Sequence, residues 1–183
     1  GINMKYTLSD KERTLAFKVG TNRNSISKSK GIYSNKKSKW QSDEFIDHNG
    51  AAGEIAFLGM MLDNNYIDIK EYDTNLKKII NPNFKPASLG LDDGDITIKD
   101  LNIDVKTSTY KTAHLWITEN KKNTSKIDGY VLVTGNIEKD NEFYFKGYLD
   151  HQFIIDNWSI TKSGTNGKFR QSELIELPFN KED

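Results

Sequence analysis

Apolar side chains in the middle of the chain first follow the period of a helix. Between Asp43 and Asp63, apolar residues recur at the spacing of one helix face: Ala51, Ile55, Leu58 and Leu62. The pattern predicts a helix over 43–63 that packs this stripe on a sheet or on another helix. Glu54 lies about 80° from the centre of the stripe, so we expect its carboxylate to point along the boundary between the helix and its neighbouring layer.

The period then changes to that of strands. Short apolar or alternating runs, separated by turn-forming residues, predict strands at Tyr66–Ile69, Asp95–Lys99, Leu101–Thr107, Ala113–Thr118, Gly129–Thr134 and Glu142–Tyr148. An irregular stretch with Pro82 and Pro86 follows the first run, and residues 99–102 are the expected hairpin connection. A short helix capped by Asp150 is expected over 150–157, and a polar tail over 163–183. This order predicts an α/β fold with a central mixed β-sheet flanked by helices.

Length and composition narrow the class of protein. A chain of 183 residues with 36% hydrophobic and 11% aromatic side chains predicts one globular domain over 1–183, with its core over 43–157. The absence of cysteine excludes a disulfide scaffold, a cysteine zinc site and a thiol nucleophile, and suits a cytoplasmic protein. The longest apolar run, 55–62, is far shorter than the roughly 20 residues of a membrane-spanning helix, so no membrane partner is expected. Residues 1–3 lack a signal-peptide pattern, and we expect them to be an addition ahead of a native start at Met4.

Charge is balanced overall but segregated along the chain. The 26 basic and 26 acidic side chains cancel, which excludes a globally basic nucleic-acid binder. Residues 13–42 nevertheless hold eight basic and no acidic side chains, with Tyr33 and Trp40 among them. This segment is either a basic arm that meets phosphates and stacks on bases or a solvated surface loop, and the sequence leaves both open. The cations that we predict to contact nucleic acid, here and after residue 118, are Arg23, Lys28, Lys30, Lys36, Lys37, Lys39, Lys121 and Lys122.

One strand places an acid and a lysine side by side. Along 101–107 side chains alternate between faces, so Asp104 and Lys106 project from one face about 6.6 Å apart. The acidic turn 91–95 leads into the preceding strand, and in a hairpin Asp95 reaches Asp104. Asp95 is preferred over the two neighbouring aspartates because the apolar strand begins directly after it.

Three acids at one point require a cation. If Asp95, Asp104 and Glu54 converge, their repulsion reaches several kcal/mol unless a cation neutralises it. Ligation by carboxylate oxygens suits Mg²⁺, with Mn²⁺ as a substitute, rather than zinc. Lys106 would then position or polarise the attacking water, or stabilise the charge that the phosphate gains in the transition state. These parts favour metal-dependent hydrolysis of a phosphodiester.

The ordered motifs carry a family resemblance. Gly50-Ala-Ala-Gly-Glu54 on a helix, then Gly94-Asp95-Ile-Thr-Ile, then Ile103-Asp104-Val-Lys106-Thr-Ser resemble the PD-(D/E)XK nuclease superfamily, whose members share the restriction-endonuclease-like fold. The resemblance extends over about residues 50–148. It implies that Asp95, Asp104 and Glu54 bind the metal, that the Val105 carbonyl is a further ligand, and that Lys106 is the catalytic lysine. Glycine stands at position 94, where the family name has proline.

The resemblance implies a Mg²⁺-dependent DNA endonuclease of bacterial or phage type. Duplex DNA is the preferred partner, with RNA and a homodimer left open. A structure-selective nuclease similar to a junction resolvase, which would be dimeric, is an alternative. A non-catalytic DNA-binding domain that retains the fold is another, although such a domain would be expected to have lost Asp95, Asp104 or Lys106.

Overall fold

A computed structural model of the protein describes residues 3–31, 42–81, 94–123 and 126–182, without the side chains of 160–163. The helices are α1 (Asp10–Ser29), α2 (Asp43–Asp63), α3 (Ile69–Ile80), α4 (Glu119–Lys122), α5 (His151–Asp156) and α6 (Trp158–Thr161), with a 3₁₀ turn at Gln171–Glu173. The strands are β1 (Lys5–Thr7), β2 (Ile96–Ile98), β3 (Leu101–Ser108), β4 (Leu115–Thr118), β5 (Gly129–Thr134), β6 (Glu142–Asp150), β7 (Lys162–Ser163) and β8 (Asn166–Phe169). The prediction of a mixed α/β fold is confirmed.

Two sheets organise the strands. The central sheet has the order β1-β6-β5-β3-β2, in which β3 and β5 are parallel and the other neighbours are antiparallel. The smaller antiparallel sheet has the order β4-β8-β7. The connection from β3 to the parallel strand β5 therefore contains β4 and the single turn of α4. This connection brings α4 back to the central sheet beside β3.

The central sheet separates two apolar cores because its side chains alternate between faces. Ile103 and Val105 of β3 join the side chains of α2 in the larger core. Tyr130 and Leu132 of β5 join Leu115 of β4 in the smaller core, together with side chains from α5, α6 and β8. Asp104 lies between Ile103 and Val105 in the strand, so its side chain points toward the smaller core.

The first part of the predicted basic arm is a helix. Residues 13–29 belong to α1, whose start is fixed by a capping box between Ser9 and Glu12. Ala16 and Val19 are buried against the larger core, whereas Lys18 and Lys28 are exposed. The prediction of an arm or loop is therefore wrong for 13–29, because charged residues on the solvent face hid a helical period. Residues 32–41 lie outside the described residues, so the prediction for them stays a prediction.

A second helix replaces a predicted strand. Tyr66–Ile69 was expected to be a strand followed by irregular chain, but Asp68 caps α3 by accepting a hydrogen bond from the Glu71 N–H at 2.8 Å. The buried Asn75 of α3 pairs with both backbone groups of Thr97 in β2, at 2.7 and 2.9 Å. The strand prediction is therefore wrong, and α3 instead supports the strand that follows Asp95. The positions of Pro82 and Pro86 are not among the described residues.

Other predictions of local structure are confirmed, apart from that of the tail. The helix over 43–63 and the strand over 129–134 have the predicted bounds. The hairpin turns at Lys99 and Asp100, which both have positive φ angles, as a two-residue turn of this type requires. The tail is the exception, because β8 and the buried Phe169 and Leu174 lie within the residues 163–183 that were expected to be polar tail.

Two glycines of α2 provide a matched test of helix packing. A Cβ at Gly53 would overlap Thr107 Oγ1 and lie 2.8 Å from Thr107 Cβ, whereas a Cβ at Gly50 would meet nothing within 4 Å. We expect Gly53→Ala to destabilise the protein by about 1 to 3 kcal/mol, because α2 must move away from β3. Gly50→Ala is expected to stabilise it by up to about 1 kcal/mol through helix propensity. Urea unfolding of both variants checks this, and equal effects would contradict the close approach of α2 to β3.

Candidate active site

The start of β2 holds Asp95 against the middle of β3. The Asp95 N–H donates to the Ile103 carbonyl at 2.8 Å, and the Asp95 Oδ2 accepts from the Val105 N–H at 2.7 Å. Gly94 has φ +98° and lies so close to β3 that its Cβ would be 3.2 Å from the Ile103 oxygen. Proline fixes φ near about −65°, so proline could not take this backbone conformation. The glycine at the position of the family's proline therefore has a structural reason.

The backbone of Val105 faces Asp95. The carbonyls of Asn102 and Ser108 bond to the β5 side of the strand, and the Ile103 carbonyl bonds to the Asp95 side. Backbone groups alternate along a strand, and the N–H and C=O of one residue share an edge. The Val105 carbonyl therefore lies on the Asp95 edge of β3, beyond the last residue that β2 pairs. A carboxylate and a backbone carbonyl thus share one edge of the sheet.

Asp104 is buried between two lysines. Its side chain is 2% exposed, and Lys121 Nζ donates to its Oδ1 at 2.6 Å. Lys106 Nζ lies 3.2 Å from Oδ2, with its own side chain 30% exposed. Oδ2 is buried and accepts no well-aligned hydrogen bond from the described residues. One oxygen of Asp104 is thus fully engaged, while the other faces a partly exposed lysine.

Lys121 reaches Asp104 from α4, whose backbone is held by Thr118 and Tyr130. Thr118 caps α4 by accepting from the Lys121 N–H at 3.3 Å. The Tyr130 hydroxyl lies 3.3 Å from the Lys121 carbonyl and 3.0 Å from His151 Nδ1. Burial lowers the pKa of His151, so its ring favours the neutral form, which suits this contact with a hydroxyl. The single turn of α4 is therefore anchored to β5 and α5, and the Lys121 side chain is 8% exposed.

Asp104, Lys106 and Lys121 lie close enough to shift one another's pKa values. Burial alone would raise the pKa of Asp104, but the charges of Lys106 and Lys121 outweigh it and lower that pKa. Burial lowers the pKa of Lys106, and the neighbouring Lys121 lowers it further, while Asp104 and Asp95 oppose the shift. Asp104 is therefore ionised in the neutral pH range. Lys106 is the member of the cluster that combines a lowered pKa with access to solvent.

Glu54 is paired with Arg23 across the helices. Arg23 Nη1 and Nη2 donate to the two Glu54 oxygens at 2.7 and 2.9 Å, and Nη2 also donates to the Ile79 carbonyl at 3.1 Å. Their side chains are 12% and 6% exposed. Burial opposes the charge of Arg23, but Glu54 outweighs this effect and raises the Arg23 pKa. Glu54 is thus buried between α2 and α1, and both oxygens of its carboxylate accept hydrogen bonds.

Asp95 connects the two groups of ion pairs. Its charge contributes to raising the pKa of Arg23 and also supports the charge of Lys106. The Val105 N–H, which lies between Asp104 and Lys106 on β3, donates to Asp95 Oδ2 at 2.7 Å, so Asp95 lies at the edge of the strand that carries both. Glu54 lies on α2 and is held by Arg23 of α1. A cation from this chain accompanies both Glu54 and Asp104.

The remaining predicted cations divide by position. Lys28 and Lys30 are exposed at the C-terminal end of α1. Lys122 lies over the ring of Trp158, with its Nζ 5.3 Å from the ring centroid. Lys36, Lys37 and Lys39 fall outside the described residues. Their contact with nucleic acid stays a prediction, as it does for Arg23 and Lys121, which lie in buried ion pairs.

The acids are not yet arranged as a complete metal cage. In the described ranges, no group of three or more histidine, aspartate or glutamate side chains converges so that it could hold a metal ion. Both oxygens of Glu54 accept hydrogen bonds from Arg23. Asp95, the Val105 carbonyl and the buried Asp104 Oδ2 nevertheless offer the oxygen donors that Mg²⁺ prefers. The donor chemistry therefore fits a hard divalent cation with two carboxylates, a carbonyl and water.

No protein-family model, curated protein or solved structure matches the chain significantly. Among the helices that the structure describes, none has both the length and the apolar character needed to cross a membrane.

The pairing of Arg23 with Glu54 predicts a role in stability. Removing one partner of a buried pair leaves the other charge uncompensated, so we expect Arg23→Met to cost about 3 kcal/mol of folding free energy. Lys18→Met, which removes an exposed lysine from the same helix, is expected to change stability by less than about 0.5 kcal/mol. Chemical unfolding compares the two variants. If Arg23→Met has the same free energy of unfolding as the wild type, the ion pair does not contribute to stability.

Proposed function

We propose that the protein is a Mg²⁺-dependent nuclease of the PD-(D/E)XK type, with a restriction-endonuclease-like core. The observation that carries the proposal is the arrangement around Asp104. A buried aspartate and a partly exposed lysine lie two residues apart on β3, and the carboxylate of Asp95 touches the backbone between them. The order of Asp95, Asp104 and Lys106 along two adjacent strands agrees with the family's motif.

The metal would be held by Asp95, Asp104 and the Val105 carbonyl. Bound there, Mg²⁺ would supply charge stabilisation at the phosphate and lower the pKa of a water molecule. Asp95 and Val105 are already linked by a hydrogen bond of 2.7 Å, so the sheet edge holds this part of the donor set in place. Glu54 would join only if it exchanged the Arg23 guanidinium for the metal or for a water bound to it.

Lys106 would act on the substrate. Its ammonium group is 3.2 Å from Asp104 Oδ2, and its side chain is the most exposed of the three that form this ion-pair cluster. From this position it would donate a hydrogen bond to the attacking water or to a phosphate oxygen, whose negative charge increases in the transition state. Its lowered pKa reduces the cost of giving up or sharing a proton.

DNA is the proposed substrate, with RNA as the alternative polymer. The exposed Lys28 and Lys30 at the end of α1 lie on the helix that also carries Arg23 next to Glu54, which suits contact with the phosphate backbone beside the site. Duplex binding would be driven by such phosphate contacts, and should weaken steeply as salt increases.

A non-catalytic nucleic-acid-binding domain is the second candidate. One observation favours it: Glu54 is paired with Arg23 and Asp104 with Lys121, as in a purely structural ion-pair network. Such networks also shift pKa values without any catalysis. The retention of Asp95, Asp104 and Lys106 together is the reason that catalysis is preferred.

Cleavage of a substrate panel separates these functions. Supercoiled plasmid, linear duplex, a four-way junction, single-stranded DNA and RNA are incubated with the protein in Mg²⁺, in Mn²⁺ and in excess chelator. The proposal predicts metal-dependent cleavage of at least one DNA substrate and none with chelator. Strong preference for the junction would indicate a structure-selective nuclease, and the mass in solution would then be expected to be that of a dimer. Binding without cleavage under every condition would favour the non-catalytic domain.

A further inference from the structure

Two lysines lie against one buried carboxylate. Lys121 Nζ is 2.6 Å from Asp104 Oδ1, and Lys106 Nζ is 3.2 Å from Asp104 Oδ2. The motif of the proposed family accounts for Asp104 and Lys106. It does not account for Lys121, the second lysine on the same carboxylate.

We propose that Lys121 is an internal counter-ion of Asp104 that makes binding of the divalent cation depend on the phosphate group of the substrate. The proposal rests on the proposed function and adds a property that the motif does not imply. Asp104 and Lys106 together carry no net charge, and Lys121 adds one positive charge beside the same carboxylate. That charge opposes a divalent cation at Asp104, so the phosphate has to supply the compensating negative charge.

The contact between Lys121 and Asp104 is built into the fold. Lys121 Nζ is 2.6 Å from Asp104 Oδ1, and both side chains are more than nine-tenths buried. The Thr118 cap and the Tyr130 hydroxyl hold the backbone of Lys121. A long, exposed lysine could swing away when a metal arrives, but this one has little room to do so. Its positive charge therefore stays beside the carboxylate.

The same contact orients the carboxylate. Because Oδ1 is taken by Lys121, Asp104 is left with Oδ2, which is buried and lacks a well-aligned hydrogen-bond donor from the described residues. That oxygen faces Lys106 at 3.2 Å. Asp104 can thus offer one oxygen to a metal without breaking its bond to Lys121. Lys121 is accordingly a positioning residue, because it acts on the metal through Asp104.

Electrostatics sets the size of the effect. One unit charge a few ångströms from a divalent cation changes the affinity of the cation at least about tenfold at an effective dielectric near 20. In the wild type, the anionic phosphate restores the attraction that Lys121 removes. Binding of metal and phosphate must then be coupled reciprocally, so each raises the affinity of the other by the same factor.

The experiment measures Mn²⁺ binding rather than cleavage. The free Mn²⁺ signal is followed by electron paramagnetic resonance as Mn²⁺ is titrated into the protein, alone and with thymidine or uridine 5′-monophosphate. These nucleotides carry a phosphate but no phosphodiester to hydrolyse. A blank without protein corrects for binding of Mn²⁺ to the nucleotide. Asp104→Asn defines the binding that belongs to this site.

Two results are expected. In the wild type, nucleotide should strengthen Mn²⁺ binding at least about tenfold. Lys121→Met should bind Mn²⁺ without nucleotide at least about tenfold more tightly than the wild type, and nucleotide should add less. Lys168→Met, which removes an exposed lysine from β8, should behave as the wild type. A circular dichroism melt confirms that each variant is folded.

The contrary results separate this inference from the proposed function. Wild-type binding that is equally tight with and without nucleotide overturns the role of Lys121, while metal-dependent cleavage would still support the nuclease. Lack of site-specific Mn²⁺ binding in both conditions, together with lack of cleavage, overturns both. If Lys121→Met does not fold, the pair of wild-type titrations decides by itself, because a coupling below about threefold is too small for a missing unit charge.

Discussion

Asp104→Ala is expected to lower the free energy of unfolding by about 3 to 5 kcal/mol. It is also expected to remove any cleavage activity. The reason for the loss of stability is Lys121, whose side chain is 8% exposed and whose ammonium group is 2.6 Å from Asp104 Oδ1. Alanine would leave that charge buried with its main partner removed. The large loss of stability is thus a consequence of the contact that the fold makes between Lys121 and Asp104. Urea unfolding followed by circular dichroism measures it.

A double variant provides the control for this prediction. Asp104→Ala/Lys121→Met removes both buried charges and replaces the lysine with an apolar side chain of similar length. We expect it to be more stable than Asp104→Ala, although it carries one substitution more, because buried pairs can often be replaced by apolar groups at little cost. If the two substitutions instead destabilise additively, Lys121 and Asp104 do not interact as the structure indicates.

Lys106→Met is expected to reduce metal-dependent cleavage by about 10² to 10³-fold while leaving the protein close to wild-type stability. Lys106 is 30% exposed, and Asp104 keeps Lys121 as a partner when Lys106 is replaced. Lys106 is expected to act only on the reacting groups, by donating a hydrogen bond in the transition state. Nucleic-acid affinity, measured in chelator by fluorescence anisotropy, should change by less than about threefold, which is the loss of a single weak phosphate contact.

Variants of Asp104 and Lys106, which lie two residues apart on β3, are expected to differ in stability. Asp104→Ala should lose both stability and activity, whereas Lys106→Met should lose activity alone. Lys168→Met serves as the control for a lost lysine away from the site. Equal losses of stability in the variants of Asp104 and Lys106 would indicate a structural ion-pair network without catalysis, and would favour the non-catalytic candidate.

Local periodicity explains what the sequence predicted well. The helical period of α2 and the alternation of β3 depend on residues within one or two turns or within one strand, so the bounds of α2 and the two faces of β3 could be predicted directly. The prediction of a single apolar stripe on α2 was too narrow, because every residue from Ala51 to Met61 is buried. The placement of Asp104 and Lys106 on one face follows from the same alternation. The two longest helices that were missed, α1 and α3, also carried local signals, because Ser9 with Glu12, and Asp68 with Glu71, have the spacing of helix caps.

Long-range pairing explains what the sequence could not predict. Arg23 and Glu54 are 31 residues apart, and Lys121 and Asp104 are 17 residues apart. No periodic pattern relates such positions, so the two cations were read as surface groups that bind nucleic acid. The short connection through β4 and the single turn of α4 determines that Lys121 returns to the central sheet. Only the folded chain shows that these cations lie against the acids of the site.

Cleavage by the wild type and by Lys106→Met, measured side by side on the DNA substrates with Mg²⁺, tests the central claim most directly. The proposed mechanism predicts that the wild type cleaves at least one DNA substrate, that chelator abolishes cleavage, and that the folded Lys106→Met variant loses at least about 99% of the rate. Cleavage by Lys106→Met at the wild-type rate, or cleavage that persists in chelator, would contradict a metal-dependent nuclease built on Asp95, Asp104 and Lys106.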